Sequence, residues 1–96
     1  MIVWVLYDIK DDKARNAVAK ACKQAGLYRV QYSCFLGKIS ASMKDGLELL
    51  FEAEIDDEVD KVYVFKMNKD NLKECTMLGQ AFDEKMVTDE VKSLFF

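Results

Sequence analysis

The chain has 96 residues, enough for one domain with a single hydrophobic core. Apolar residues make up 51% of it and charged residues 32%, which excludes disorder along most of its length, and no apolar run approaches the roughly 18 residues of a membrane span. The net charge of −3 argues against a protein that coats nucleic acid over its whole surface, and the lack of histidine removes the commonest general base and zinc ligand.

Ile2 to Asp8 places six consecutive apolar or aromatic residues directly before a carboxylate. The run is short and rich in β-branched and aromatic side chains, which predicts a strand covered on both faces. At the end of such a strand Asp8 can reach water, a metal or a cation, or it can cap the next helix or start a turn. Without histidine, any metal bound here would be hard and oxygen-bound, like magnesium.

A helix follows, with Asp11 or Asp12 as its N-cap and Gly26 at its end. Small apolar residues recur at helical spacing and define its buried face: Ala14, Ala17, Val18, Ala21, Cys22 and Ala25. A face made mostly of alanine can lie close against a sheet. The basic residues on the remaining face form either a solvated surface or one that meets phosphates.

Residues Tyr28 to Ile39 are strongly β-forming and predict one long strand with a bend or bulge. Alternation along it gives two faces: Val30, Tyr32, Cys34 and Leu36 on one, and Arg29, Gln31, Ser33 and Phe35 on the other. The second face combines a cation, hydrogen-bonding groups and a ring. It suits contact with a nucleic-acid backbone, and equally the solvent side of a sheet whose end is covered by a partner.

Beyond this stretch, Ser40 or Ser42 opens a second helix that runs to about Glu54. The acidic residues from Asp56 to Asp60 predict a solvated turn, because they lack the glycine and distal glutamate of a calcium loop. Lys61 to Met67 predicts a central or nearly central strand, and Leu72 to Leu78 a short final one.

The charges and cysteines also indicate the setting in which the protein works. Residues 1–40 carry seven Lys or Arg against three Asp, whereas residues 41–96 carry seven Lys against fourteen Asp or Glu. Either one basic surface meets phosphates or the surface charge is scattered at random. Cys22, Cys34 and Cys75 are widely spaced and odd in number, which favours reduced thiols. With no recognisable secretory signal ahead of the first strand, we expect a cytoplasmic protein without a membrane partner.

If the long β-forming stretch folds into two strands, the element order becomes βαββαβ. This predicts an α+β, ferredoxin-like antiparallel sheet over residues 1–79, with both helices on one face and an extra C-terminal strand. The other face would lie open, and a second copy packed sheet on sheet would cover it. The apolar tail, residues 80–96, would pack on its own subunit or on the partner.

Four motifs together are similar to the small CRISPR-associated adaptation proteins of the second Cas family, partners of the CRISPR integrase. They are Tyr7-Asp8 closing the first strand, Asp11 to Asn16 opening the helix, Gly26-Leu27 ending it, and Arg29 to Gly37. The resemblance implies a ferredoxin-like homodimer in which the Asp8 side chains of the two subunits face each other and bind Mg²⁺. It further implies either a metal-dependent endonuclease for RNA or double-stranded DNA, or a non-catalytic spacer that holds the DNA backbone between integrase dimers.

Carried over by position, the resemblance makes Asp8 the catalytic residue and metal ligand. It makes Tyr7, Arg15, Arg29 and Phe35 the nucleic-acid-binding residues. Two positions depart from the family pattern: Ala17, where some relatives carry a second basic residue, and Leu36, where many carry an acid. Both departures bear on nuclease activity more than on fold or dimerisation. A stand-alone, toxin-like endoribonuclease of the same fold is the alternative function.

Overall fold

The computed structural model describes residues 1–76, 78 and 79 of the chain. Their elements, in order, are β1 (Ile2–Asp8), α1 (Asp12–Gln24), β2 (Tyr28–Gln31), β3 (Cys34–Lys38), α2 (Ala41–Glu54), β4 (Lys61–Met67) and α3 (Lys69–Lys73). The four strands form one antiparallel sheet in the order β2-β3-β1-β4. The ferredoxin-like βαββαβ arrangement is therefore confirmed. No helix of the described part is long and apolar enough to cross a membrane.

Strand β1 lies in the centre of the sheet and divides the apolar residues between two clusters. Val3, Val5 and Tyr7 belong to the larger cluster, which contains the buried residues of α1 and α2. Ile2 and Trp4 belong to a smaller cluster on the opposite face, which α3 covers through Leu72. Because alternate residues of a strand face opposite ways, Leu6 and Asp8 share the face of Ile2 and Trp4.

The long β-forming stretch is two strands rather than one. Tyr32 and Ser33 form a turn between β2 and β3, and the register shifts between Arg29 and Gln31, as expected for a bulge. The backbone N–H of Tyr7 donates to the Ser33 carbonyl at 3.0 Å, so the turn is held from β1. The assignments of Tyr32 and Ser33 to the two sheet faces are wrong, since both residues lie in the turn.

Two further expectations about the sheet are wrong. Within the described residues β4 is an edge strand, not a central one. The predicted final strand is replaced at its start by α3, because Asn68 and Asn71 form a reciprocal capping box that begins a helix. The rest of that expectation, and the predicted packing of residues 80–96, lie partly or wholly outside the described residues.

Helix α1 packs closely against the sheet, as its alanine-rich face predicts. Asp11 is the N-cap and accepts from the backbone N–H of Ala14 at 2.8 Å. Gly26, just past the end of α1, has a φ of 95°, a conformation that favours glycine. The chain then passes so close to β3 that a Cβ on Gly37 would lie 3.1 Å from Leu27 Cδ2 and 3.2 Å from the Gly26 carbonyl oxygen.

Gly37→Ala should therefore destabilise the fold, because backbone atoms as well as a side chain stand where the added methyl group would go. We expect a loss of about 1–3 kcal/mol in the free energy of unfolding, measured by urea denaturation. Gly46→Ala is the matched control: it lies within α2 with nothing within 4 Å of the added Cβ. It should stabilise by about 0.5–1 kcal/mol. Equal stability of the two variants would contradict the close packing of β3.

Candidate functional site

A cleft of about 500 Å³ opens at the end of β1, where this strand meets the start of α1 and the β2–β3 turn. Its lining residues are Tyr7, Asp8, Ile9, Arg15, Asn16, Ala19, Arg29, Tyr32 and Ser33. The fold thus brings together four of the five site residues expected from the sequence. The fifth, Phe35, does not line the cleft.

Asp8 is well exposed at the cleft, with 64% of its side chain accessible. The Lys10 ammonium lies 3.3 Å from its Oδ1 atom, an ion pair that contributes little to stability because both partners face water. Asp11, not Asp8, caps α1, so Asp8 is not needed as the helix cap. Its carboxylate is available to another cation.

Within the part of the chain that the structure describes, no three acidic or cysteine side chains form a group able to hold a metal ion. Mg²⁺ keeps several of its waters and is usually bound by one or two carboxylates together with substrate phosphates. Asp8 of one chain supplies one such carboxylate, and Lys10 is already its ion-pair partner.

Arg15 places a positive charge at the cleft, and its guanidinium group already has two partners. Its Nη1 donates to the Ile9 carbonyl at 3.1 Å, and its Nη2 forms an ion pair with Asp12. Both contacts hold the guanidinium beside the segment that joins β1 to α1. With 40% of its side chain exposed, Arg15 also presents charge to solvent.

Arg29 is held by aromatic rings. Its guanidinium carbon lies 5.1 Å from the centroid of the Phe35 ring, within cation–π distance, and the Phe35 ring stacks with Tyr7 at 6.3 Å. The Nε of Arg29 is buried and has no hydrogen-bond partner in the described structure. Phe35 is fully buried, so its ring reaches the cleft only through Arg29. Direct contact between Phe35 and a nucleic acid is thus not available in one chain.

Tyr7 joins this aromatic group to the β2–β3 turn. Burial raises the pKa of its phenol, and the neighbouring Arg29 opposes that rise only in part. The hydroxyl therefore keeps its proton at neutral pH and donates to the Tyr32 carbonyl at 3.3 Å. Tyr7 acts here as a structural link and is itself almost entirely buried.

Asp60 lies in the acidic stretch predicted to be a solvated turn, and the sequence did not point to a role for it. Asp60 is buried and accepts from the backbone N–H of Asp56 at 2.8 Å and of Lys10 at 2.9 Å. These two N–H groups, that of Asp56 foremost, lower the pKa of its carboxyl group. Asp60 therefore ties the residues that follow Asp8 to the loop before β4. The position of an acid directly before the strand-forming stretch that becomes β4 was the available signal.

The cysteines offer no alternative reactive centre in the cleft. Cys22, Cys34 and Cys75 are all free thiols, as predicted. Burial raises the pKa of Cys22 to about 12 and that of Cys34 to about 11, so both stay protonated at neutral pH.

The residues of this site all fall within a match to a known protein family. The family model described as CRISPR associated protein Cas2 matches residues 1–75. The chain belongs to the Cas2 family. Over 78 residues it is 32% identical to a CRISPR-associated endoribonuclease Cas2 of Korarchaeum cryptofilum, covering 81% of this chain and 84% of that protein. A second relative with that name, from Chloroflexus aurantiacus, is 32% identical over 80 residues, covering 83% of this chain and 94% of that protein.

The fold agrees with this assignment. The crystal structure of Streptococcus pyogenes Cas2 matches with a TM-score of 0.70 and 26% sequence identity, covering 82% of this chain and 100% of that one. Every cleft residue lies within the matched family region. The cleft is therefore part of the Cas2 fold and not an addition to it.

Asp60→Asn should reduce stability at neutral pH and weaken its dependence on pH. A carboxyl whose pKa is lowered by folding contributes stability above its unfolded pKa and loses it as the pH falls through the folded value. The asparagine amide cannot repeat this titration, and its NH₂ group would face a backbone N–H. Urea denaturation at pH 7 and below about pH 4 tests both effects.

Asp57→Asn is the matched control, because Asp57 is an exposed acid of the same loop. It should leave the unfolding free energy nearly unchanged at both pH values. If Asp57→Asn and Asp60→Asn behave alike, Asp60 does not anchor the loop.

Proposed function

We propose that this Cas2-family protein works as a homodimer in CRISPR adaptation, where it holds the backbone of duplex DNA together with the integrase during spacer acquisition. The observation that carries this proposal is the cleft in which Arg15 and Arg29 lie beside Asp8. Two guanidinium groups suit phosphate oxygens, which every sequence presents, so this contact needs no base readout. Free thiols fit a cytoplasmic location.

Dimerisation is supported by the sheet face opposite α1 and α2. Leu6, Tyr63 and Phe65 are 37%, 53% and 49% exposed. The register pairs Leu6 with Tyr63, so these side chains form one patch, with Phe65 beside Tyr63 on β4. A contiguous apolar patch of this kind is covered economically by the same patch of a second copy.

The same face carries Asp8, and this favours a second activity at the dimer. Packing two such faces about a two-fold axis would bring a second Asp8 carboxylate towards the first. We propose that this pair binds Mg²⁺ more tightly than one carboxylate does and supports phosphodiester cleavage. The ion would supply bound water as nucleophile. Two relatives named endoribonucleases support RNA as a substrate.

The Asp8→Asn substitution tests whether nucleic-acid cleavage and spacer integration depend on different residues. We expect magnesium-dependent cleavage of RNA or duplex DNA to fall by about 100-fold or more, because the ligand charge is removed. Integrase-dependent spacer integration should continue, whereas Arg15→Ala and Arg29→Ala should weaken it. Gel-based cleavage and integration assays measure the two outcomes on the same proteins.

Asp45→Asn, an exposed acid of α2 outside the cleft, is the control and should change neither assay. If wild-type protein free of contaminating nucleases cuts no RNA or DNA between about pH 6 and 9, the cleavage proposal fails. If integration survives loss of both arginines, the scaffold proposal fails. If the purified protein cleaves RNA and no integrase gene lies beside its own gene in the genome, the stand-alone endoribonuclease is favoured.

Phe65→Glu should break the dimer. Two copies of the new charge would enter an apolar interface, and the resulting desolvation and repulsion should raise the dimer dissociation constant by about 100-fold or more. Light scattering coupled to size-exclusion chromatography gives the mass directly. Leu49→Glu alters a residue of α2 that is 68% exposed, and it should leave the dimer intact. A monomeric wild type, or loss of the dimer only in Leu49→Glu, would rule out the sheet face as the interface.

A further inference from the structure

Tyr32 is the most exposed aromatic residue of the described chain, with 88% of its surface accessible. It occupies the turn between β2 and β3 and lines the same cleft as Asp8, Arg15 and Arg29. A side chain exposed to this degree buries little apolar surface and contributes little to the fold of one chain. Its position indicates a contact with something that enters the cleft.

The backbone beneath this ring is fixed at several points. The Tyr7 hydroxyl donates to the Tyr32 carbonyl at 3.3 Å, and the Tyr7 backbone N–H donates to the Ser33 carbonyl at 3.0 Å. The pairing of Gln31 with Cys34 closes the hairpin around the two turn residues. The ring therefore projects from an anchored turn, so less conformational entropy is lost when a ligand binds to it.

A nucleic acid bound through its phosphates at Arg15 and Arg29 would carry its bases along the same cleft. Stacking a base on an exposed aromatic side chain is tolerant of sequence because every base has a flat face. In an intact duplex the faces of a base are already stacked on its neighbours, whereas an unpaired or splayed base is free to stack on protein. At about 500 Å³ the cleft lies in the range of about 300–1,000 Å³ that holds small ligands, so it has room for one nucleotide.

We propose that Tyr32 stacks on an unpaired base of the strand whose phosphates meet Arg15 and Arg29. Duplex and single strand both meet the two arginines through their phosphates, and an unpaired or splayed nucleotide gains the stacking contact in addition. This inference rests on the proposed function of the cleft as a nucleic-acid site and adds a contact that only unpaired bases make there. Tyr32 takes the place of Phe35 as the aromatic contact, because the ring of Phe35 is buried beneath Arg29.

The test compares full-length wild type with Tyr32→Ser and Tyr32→Phe. The probes are a short single-stranded RNA containing 2-aminopurine and a fluorescein-labelled DNA duplex, both in EDTA so that binding is measured without cleavage. Tyr32→Ser should weaken RNA binding by about 10-fold and change duplex binding by less than about 2-fold. It should also lose the fluorescence quenching of 2-aminopurine that accompanies stacking. Tyr32→Phe keeps the ring and should retain both the affinity and the quenching.

Arg29→Ala serves as the comparison that separates the two proposals. If it weakens RNA binding while Tyr32→Ser leaves RNA affinity and quenching unchanged, the stacking proposal is overturned and the phosphate-binding function stands. If wild type binds neither probe, the proposed function fails and stacking fails with it. If Tyr32→Ser changes the oligomeric mass but not RNA affinity, the ring contacts protein and the stacking proposal is overturned.

Discussion

Tyr7 is the residue on which the shape of the cleft depends. Its ring is buried against Phe35, its backbone N–H holds the Ser33 carbonyl and its hydroxyl holds the Tyr32 carbonyl. One residue of the central strand therefore fixes the β2–β3 turn, and with it the position of Tyr32 at the mouth of the cleft. Through Phe35 the same group supports the guanidinium of Arg29. The polar site is positioned by the apolar core, and not by flexible loops alone.

Side chains of β1 alternate between the two faces of the sheet, and this places the charged groups of the site on different faces. Tyr7 points to the helix side, where the aromatic group and Arg29 lie, whereas Asp8 follows on the opposite face with Leu6 and Trp4. A one-residue slip of the register would exchange these two faces, and pairing of β1 with both β3 and β4 prevents it. The positive charge of the cleft is thus built within one chain, whereas a pair of Asp8 carboxylates requires a second chain.

The sequence was sufficient where the signal was local. The apolar run of β1 forms a strand as predicted, and Asp11 is the N-cap of the two aspartates that the sequence offered. The alanine-rich face of α1 is also present, although Ala19 is buried where the spacing had pointed to Ala17. The position of the β2–β3 turn was missed because it contains no glycine, proline, asparagine or aspartate and Ser33 alone is a weak turn signal. The turn is held by hydrogen bonds from Tyr7, which is distant in sequence. Strand β4 appeared central because Tyr63 and Phe65 are apolar, although that property reflects an uncovered face.

The side chains of the site escaped prediction for a related reason. Sequence spacing correctly placed Phe35 and Arg29 on the same face of the sheet. It could not show how deeply each side chain is buried, and Phe35 is fully buried beneath Arg29. Asp60 appeared to be one acid among several until the fold placed two backbone N–H groups around its carboxylate. Depth and backbone donors are both properties of the assembled sheet.

The ion pairs in the cleft show which of its charged groups already have a partner. Asp8 is paired with Lys10, and Arg15 with Asp12. Among the ion pairs of the described residues, Arg29 takes part in none and rests instead on an aromatic ring. A cation–π contact holds a guanidinium in place without neutralising its charge, whereas a carboxylate partner must be displaced before a phosphate can bind. Arg29 is therefore the charge that the fold keeps available, and the buried rings of Tyr7 and Phe35 are what keep it so.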